Sequence, residues 1–402
     1  MKASRGLGLA LAVMVCASLL APLGAAPGPI PVLTPTVVYV PEQYHTGGAY
    51  TAIQASQDGR VYIGTTIYDG YGHLLSFVPA TGRFESLAEM SAATGERNPG
   101  PYSQAKVHTK PAIAPDGRVY FGTKSGKPAR RTEWQQNYPG GHLLVYDPRT
   151  RTTTDLGIIK PRVSIIAVGV DPQRGLVYAL TDPDSHLVVY DPRARTFSDR
   201  GEFGPPGRSP TRYLVVLANG DVFHQLGETT MARYNAAAGA IERLPLVATG
   251  PGTYEPPYAV TAAPDGRRFL GVGNQSGLVY LFEPRGREIW ARVLGAAIPE
   301  GYTTPGSHYT MTSAPDGAVY YTGSMPPDKG SGEFFILRVV PDQGRPQVAG
   351  RVLPLGPPPP GYARTVTREL IIQGSTATPD GTLIIMTAYP LRLLLLRGLA
   401  AR

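Results

Sequence analysis

The stretch that decides the fold is His108-Thr-Lys-Pro-Ala-Ile-Ala-Pro-Asp-Gly-Arg-Val-Tyr-Phe-Gly-Thr123. Within it, the short apolar segment from Ala112 to Pro115 precedes the turn dipeptide Asp116-Gly117. The run from Val119 to Thr123, which follows the turn, alternates β-forming residues. Two such segments separated by an Asp-Gly dipeptide predict a β-hairpin.

Versions of this hairpin recur along the whole chain of 402 residues, at intervals of roughly 45 to 65 residues. The other copies begin at Ser56, Asp171, Ala218, Ala263, Ala314 and Thr378. A second strand pair follows most copies, as where His142-Leu-Leu-Val-Tyr-Asp147 leads to the run from Thr152 to Gly157. Four strands in each repeat are typical of a β-propeller blade.

The seventh repeat contains only three predicted strands, the last of them running from Leu391 to Arg397. The segment from Thr36 to Val40 precedes the first repeat and has no partner there. An unpaired edge in the last blade would invite aggregation, so we expect this segment to pair with it. The sequence therefore predicts an all-β fold, a seven-bladed β-propeller of four-stranded antiparallel blades, closed by an N-terminal strand in the last blade.

The N-terminus has the pattern of a secretory signal. Lys2 and Arg5 precede an apolar run from Leu7 to Leu20, and Leu23-Gly-Ala-Ala26 offers small residues for cleavage. An uncleaved membrane anchor is the alternative, although the run is short for a bilayer span of about 20 residues. We predict a signal peptide over residues 1–26, one propeller domain over residues 27–402, and a periplasmic or secreted location.

Composition narrows the classes of partner. The net charge of +8 favours anionic ligands, while no basic helix or nucleic-acid-binding motif occurs. The only cysteine, Cys16, lies in the predicted signal, so the mature domain would have neither disulfides nor thiol chemistry. We expect a monomer that binds a small molecule or glycan, with no nucleic-acid partner and no membrane contact after signal removal. The sequence identifies no cofactor.

The Pro-Asp-Gly-Arg-Val-Tyr pattern at 115–120, together with the Leu-Val-Tyr-Asp-Pro pattern at 144–148, resembles bacterial seven-bladed propellers of the gluconolactonase-like and streptogramin-lyase-like superfamily. The resemblance covers nearly all of the predicted mature chain and marks the blades, not a reaction. The acidic and Asn metal-binding positions of the gluconolactonase family are not found, so the resemblance implies no metal site here. Polysaccharide lyases that use His, Tyr and Arg share the architecture only.

The repeats also indicate which face carries function. The turns within strand pairs are short, whereas the other connections, such as 88–104 and 353–369, are long and irregular. Long loops on one face of a rigid scaffold favour a binding site there. His108 and His308 occupy the same repeat position at the channel mouth, and other blades lack a histidine there.

Two sets of site residues follow from this placement. The predicted catalytic residues are His108, His308, Tyr50 and Arg212. The predicted ligand-binding residues are Lys110, Tyr254, Glu255, Tyr302, Tyr309, Arg364 and Gln373.

Three hypotheses for function remain open at this point. The first is binding of a polar or anionic, carbohydrate-like ligand, with β-elimination in which a histidine is the base and Arg212, Lys110 or Arg364 neutralises a uronate. The second is metal-assisted hydrolysis of a lactone, with His45, His108 and His308 as ligands and Glu255 as a carboxylate. The third is a non-enzymatic platform for a protein or glycan partner. Whether the protein is an enzyme is therefore undecided by the sequence.

Overall fold

The predicted hairpin around Asp116-Gly117 is present. A computed structural model describes residues 29–46, 48–126, 137–205, 211–273, 276–297, 310–324, 333–360, 362 and 371–399. Ala112 pairs with Tyr120 and Ile113 with Val119 across the turn. Gly117 has a φ of +89°, a conformation that glycine adopts without steric cost. The turn dipeptides in the sequence thus mark real hairpins.

Strands dominate the described residues and are numbered along the chain. The first two strands and the first two units are β1 (Val32–Leu33), β2 (Thr36–Tyr39), β3 (Ile53–Ala55), β4 (Val61–Gly64), β5 (His73–Val78), β6 (Arg83–Glu89), β7 (Lys106–Val107), β8 (Ala112–Ile113), β9 (Val119–Lys124), β10 (His142–Asp147) and β11 (Thr152–Ile158). The third and fourth units are β12 (Ser164–Val170), β13 (Val177–Asp182), β14 (His186–Asp191), β15 (Thr196–Glu202), β16 (Val215–Val216), β17 (Val222–Gly227), β18 (Thr230–Asn235) and β19 (Ala240–Thr249). The remaining units are β20 (Pro257–Ala262), β21 (Phe269–Gly273), β22 (Leu278–Arg285), β23 (Glu288–Ala296), β24 (Thr310–Ser313), β25 (Val319–Ser324), β26 (Phe334–Val339), β27 (Gln347–Val352), β28 (Ile371–Ala377), β29 (Leu383–Ala388) and β30 (Arg392–Leu396).

Within the described ranges these strands form four-stranded antiparallel units, six of them ordered from a first to a fourth strand as the chain runs and the last completed by β2. Helices are short: α1 (Met90–Thr94) and a 3₁₀ turn at Glu42–Tyr44. No helix in the described part of the chain is long and apolar enough to cross a bilayer.

The predicted closing strand is confirmed. β2 pairs antiparallel with β30, from Thr36 opposite Leu395 to Tyr39 opposite Arg392. The resulting sheet has the order β2-β30-β29-β28, so the earliest long strand supplies the outer edge of the last unit.

Two parallel pairings were not predicted. β19 pairs with β23 from Leu246 opposite Ile289 to Thr249 opposite Arg292, which joins the fourth and fifth units into one eight-stranded sheet. β1 pairs in parallel with β27, through Val32 opposite Arg351 and Leu33 opposite Val352. Both pairings cover outer edges that would otherwise expose unpaired backbone groups.

The core lies between neighbouring units. Ile165 of β12 packs against the second unit at Gly122, where an added Cβ would come within 2.5 Å of Ile165 Cγ2. Ile165 has no exposed surface, and burying a side chain of this size stabilises the fold by about 1.5–3 kcal/mol. Glycine at this place on β9 therefore allows the third unit to approach closely.

Three histidines repeat as part of this scaffold. His73, His142 and His186 begin β5, β10 and β14. Their Nδ1 atoms lie 3.1 Å from Ser86 Oγ, 2.8 Å from Asp155 Oδ2 and 2.9 Å from Asp199 Oδ1, each on the following strand. They join third strands to fourth strands and lie away from the axis.

Candidate functional site

A channel of about 970 Å³ lies at the centre of the seven units. The first strand of every unit contributes residues to its wall, among them Ala112, Ala167, Val215, Thr261, Thr310 and Ser375. The lining extends from turn residues such as Asp58 and Gly117 to Tyr50, Lys110, Arg212 and Gln373. The two ends of the channel therefore differ, and cationic side chains occur at the end away from the turns.

The second unit has a broken first strand, and this break forms part of the site. β7 ends at Val107 and β8 begins at Ala112, while Pro111 has no backbone N–H to donate to the ladder. Thr109 Oγ1 accepts the hydrogen bond of Gly122 N at 2.9 Å in place of a backbone carbonyl. Residues 108–110 thus leave the ladder, and Lys110 reaches the channel wall.

Three of the four predicted catalytic residues lie together. The Tyr50 ring contacts the His108 ring edge-on, with centroids 4.0 Å apart. The Arg212 guanidinium lies over the Tyr50 ring, 4.7 Å from its centroid. Cation–π contacts of this kind contribute about 0.5–2 kcal/mol. Tyr50 thus connects the second-unit histidine to the fourth-unit arginine.

The backbone around Tyr50 is fixed by a residue from the last unit. Gln373 Oε1 accepts hydrogen bonds from Ala49 N at 2.7 Å and from Tyr50 N at 2.8 Å. Tyr50 itself has a φ of +53°, which is uncommon for a residue with a side chain. Gln373 was predicted to bind ligand; the structure places it at the channel and gives its amide oxygen a positioning role.

His108 is enclosed beneath Tyr50. Its side chain is 1 % exposed, and neither ring nitrogen has a hydrogen-bond partner among the residues that the structure describes. Burial lowers its pKa well below the usual value, and the positive charges of Arg212, Lys124 and Lys106 lower that pKa further. His108 is therefore neutral at physiological pH, and a substrate would reach it only after the Tyr50 side chain moved.

Tyr68, Lys106 and Asp182 also lie at this end, and the sequence analysis did not single them out. The Tyr50 and Tyr68 hydroxyls are 2.7 Å apart, and Lys106 Nζ lies 4.9 Å from the Tyr68 ring centroid. Lys124 forms an ion pair with Asp182. The only available signal was the i, i+2 spacing of Lys106 and His108, which places both side chains on one face of an extended segment.

The charges at this end are unbalanced. Neither Lys106, Lys110 nor Arg212 forms an ion pair with any residue in the described ranges. Burial lowers the pKa of Lys110 to about 8. Burial, followed by the charges of Lys124 and Arg212, lowers the pKa of Lys106 to about 7. An anion bound here would relieve part of this electrostatic cost.

Two predicted ligand-binding residues, Tyr254 and Glu255, are not among the residues that line the channel. Tyr254 donates a hydrogen bond to Gln225 Oε1 at 2.8 Å and packs edge-on against Tyr280. Glu255 Oε2 accepts from Ser276 N at 2.8 Å. Their loop joins the fourth and fifth units, so both side chains contribute to packing there and neither lines the channel.

The remaining predicted residues, His308, Tyr302, Tyr309 and Arg364, lie outside the described residues. Of the proposed metal ligands, His45 is buried with its Nε2 3.1 Å from Val40 O, and Glu255 is engaged as above. Nowhere in the described ranges do three His, Cys, Asp or Glu side chains come together as a metal site requires.

Comparison with solved structures identifies the fold. The chain is similar to a chain in the crystal structure of the mitotic checkpoint complex, with a TM-score of 0.60 and 12 % identity over 98 % of this chain and 99 % of that one. It is also similar to the WD40 repeats of RRP9, with a TM-score of 0.59 and 10 % identity over 92 % of this chain and 100 % of that one. This protein is a β-propeller. No protein-family model and no curated protein sequence matches the chain. The expected gluconolactonase-like and streptogramin-lyase-like relationship thus stays a prediction, while the propeller fold itself is confirmed.

Proposed function

We propose that this β-propeller binds an anionic, carbohydrate-like ligand at the axial site formed by Tyr50, Lys110 and Arg212. The observation that carries the proposal is the excess of positive charge: Lys110 and Arg212 reach the channel without an ion pair in the described ranges. Asp182, the acid that acts electrostatically on neighbouring Lys106, is itself paired with Lys124. A carboxylate or sulfate on the ligand would supply the missing negative charge, and a guanidinium matches such oxygens in a fork.

The channel wall supports a ligand with hydroxyl groups and flat apolar faces. Thr310 Oγ1 and Ser375 Oγ lie 3.1 Å apart on neighbouring strands, and both residues line the cavity. Tyr258 is 37 % exposed although it also lines the channel. Exposed tyrosines suit stacking on sugar rings, and the volume falls in the range of small-molecule sites, about 300–1,000 Å³.

The same residues permit a β-elimination on a uronate. Arg212 or Lys110 would neutralise the carboxylate, which lowers the barrier to removing the adjacent C5 proton. His108, which is neutral, would accept this proton once Tyr50 moves and the uronate carboxylate offsets the positive charges that lower the pKa of His108. The C4–O bond then breaks, a C4–C5 double bond forms, and the Tyr50 hydroxyl protonates the leaving oxygen.

Binding and elimination are tested separately. We expect calorimetry with oligogalacturonates and oligoglucuronates to give binding that neutral oligosaccharides of equal length do not. Arg212→Gln should weaken this binding by about 10- to 100-fold, whereas Arg83→Gln, on an exposed outer strand, should leave it unchanged. Equal affinity for neutral and acidic oligosaccharides would refute the anionic site. Elimination is followed by the ultraviolet absorbance of the unsaturated uronate, and a protein that binds but forms no such product is a binding protein and not a lyase.

A second candidate is a platform for protein or glycan partners. One of the two similar structures is of a chain in a complex, which is the observation that favours this function. A channel ligand is not required in that case, so Arg212→Gln would leave partner binding unchanged. The metal-assisted lactonase hypothesis has less support, because two of its donors, His45 and Glu255, have other partners.

Export is part of the proposal, since extracellular and periplasmic proteins meet acidic polysaccharides. Expression of the full chain in a bacterium, with N-terminal sequencing of the exported product, should give a protein that begins at Pro27, directly after the small residues Ala25 and Ala26. Retention of the first 26 residues on a membrane-bound product would favour the anchor instead.

A further inference from the structure

We propose that Lys106 is a nucleophilic amine that captures the carbonyl group of a small oxo acid as an imine. No step in the proposed elimination uses this residue. The inference rests on the proposed function in one respect: the anionic site is needed to bind the carboxylate of the oxo acid. The reactivity of the amine does not depend on that site.

The position of Lys106 is unusual for a lysine. Its side chain is 5 % exposed, on β7 opposite Lys124. Its Nζ lies 5.5 Å from the Tyr50 ring centroid and 4.9 Å from that of Tyr68. Contacts of this kind favour the charged ammonium by about 0.5–2 kcal/mol, so the two rings oppose the lowering of the lysine's pKa in part.

The surroundings of Lys106 favour the neutral amine. Lys124 and Arg212 are close enough to act on it electrostatically, and Asp182 opposes them only in part because it is paired with Lys124. Burial and these charges lower the pKa of Lys106 to about 7, which supports the geometric argument. Desolvation and a neighbouring cation are the two means by which lysines become nucleophiles in proteins.

A reactant would reach the amine past two tyrosine rings. Lys106 is not among the residues that line the channel, and its Nζ lies beside the rings of Tyr50 and Tyr68, so these side chains would have to move to admit a small oxo acid. The Oδ1 atom of Asp182 is enclosed and has no partner among the described residues, so this carboxylate has an unused acceptor at the site. Arg212, which lies over the same Tyr50 ring as Lys106, carries the positive charge that would hold the carboxylate of an oxo acid.

The chemical step balances without a further reactant. The lone pair of neutral Nζ attacks the carbonyl carbon, and an N–C bond forms. The carbonyl oxygen takes up two protons, both from the nitrogen by way of solvent, and leaves as water. The product is an imine that water hydrolyses back to the amine and the oxo acid, so capture is reversible until the imine is reduced.

The test is reductive trapping on the full protein. Glyoxylate or pyruvate is added with cyanoborohydride at pH 7, and the modified lysine is located by peptide mass mapping. The chain contains only seven lysines, so each can be followed. We expect Lys106 to be modified at least ~10-fold faster than Lys160, whose ammonium is held by Asp184 and Asp199. Lys106→Arg should abolish this modification, whereas Lys160→Arg should leave it unchanged.

Two further measurements keep the outcomes distinct. Acetaldehyde, which has no carboxylate, should modify Lys106 more slowly than glyoxylate; equal rates would overturn the oxo-acid assignment. Modification spread evenly over the lysines of the wild-type protein would overturn the nucleophile itself, even if Lys106→Arg failed to fold. A uronate oligosaccharide with a reduced end has no free carbonyl to react, so its binding tests the proposed function independently of Lys106.

Discussion

The second and third units are built from the same repeat, yet their axial strands differ. In the third unit β12 is continuous, pairs with β13 from Ser164 to Val170, and contains apolar residues that are buried. In the second unit the corresponding strand is interrupted between Val107 and Ala112, and this interval contains His108 and Lys110. The continuous strand holds neighbouring units together, whereas the interrupted one directs polar groups to the axis.

Lysines in the two units show the same contrast. Lys160 Nζ lies 2.7 Å from Asp184 Oδ2 and 2.9 Å from Asp199 Oδ2. Burial opposes its charge, but the hydrogen bonds to these carboxylates outweigh burial and raise the pKa of Lys160. Lys106, buried among cations, has its pKa lowered to about 7. Residue type alone thus does not separate a scaffold lysine from a reactive one; the neighbouring charges do.

The largest expected effect lies in the continuous unit. Leu180 on β13 is fully buried, and Leu180→Ala should lower the free energy of unfolding by roughly 2–5 kcal/mol, because it removes contacts and leaves a cavity. Urea unfolding measures this. Lys110→Met in the interrupted unit should not lower the free energy of unfolding, because it removes a charge whose burial lowers the pKa of Lys110 to about 8. Equal losses for the two variants would show that the two axial strands contribute alike to stability.

Ligand affinity, unlike stability, should depend on the charged residues at the axis. Arg212→Gln removes the charge over Tyr50 and should weaken binding of acidic oligosaccharides by about 10- to 100-fold, since hydrogen bonds to charged groups contribute about 1.5–3 kcal/mol. The melting temperature should stay within a few degrees of the wild type. Calorimetry measures the affinity and thermal denaturation the stability; a large loss of stability with unchanged affinity would show that Arg212 is a structural residue and not a ligand-binding one.

Removing Lys106 should stabilise the protein. Its pKa is lowered on folding, so the unfolded state binds more protons between about pH 7 and about pH 10.4, and the stability of the wild type rises with pH across that window. Lys106→Met keeps most of the side-chain volume without the charge. It should raise the free energy of unfolding by roughly 1–2 kcal/mol at pH 6 and flatten the rise above pH 7. A variant less stable than the wild type at pH 6 would contradict this.

The smallest effect is expected at Lys160, with the opposite sign. Its pKa is raised on folding, so its contribution is complete below the unfolded value of about 10.4 and is lost as pH rises through the folded value. Lys160→Met should cost about 0.5–1 kcal/mol at pH 7, because partly exposed ion pairs are weak. The cost should shrink in 1 M salt. A stabilising effect would mean that Lys160 and Lys106 are not the contrasting pair described above.

The sequence predicted the hairpins and the closing strand well because both depend on local patterns. Asp-Gly dipeptides favour turns. The last repeat lacks a fourth strand, and the segment that begins at Thr36 has no partner in the first repeat, so the two could be matched. The parallel pairing of β19 with β23 was missed, since an outer edge of one unit carries no sequence signal for the edge of the next. From their positions in the repeats, the sequence analysis also grouped Tyr50, His108 and Arg212, which the structure places side by side.

Site residues were harder to predict where burial decides their role. Tyr254 and Glu255 have the residue types of a ligand site, but their loop packs between two units and occupies their polar groups. Lys106 was missed because nothing in its sequence neighbourhood shows that Lys124 and Arg212 approach it. Such contacts join different units and appear only when the ring is assembled.

Pairing of β2 with β30 has a consequence for the order in which the protein assembles. A ribosome produces β2 before any of the seven hairpins and β30 after all of them, so the last sheet cannot be completed while the chain is still being made. Until β30 arrives, β2 is an unsatisfied strand that must avoid other partners. A chain exported before folding would postpone this risk to the far side of the membrane, where all of its strands are available at once.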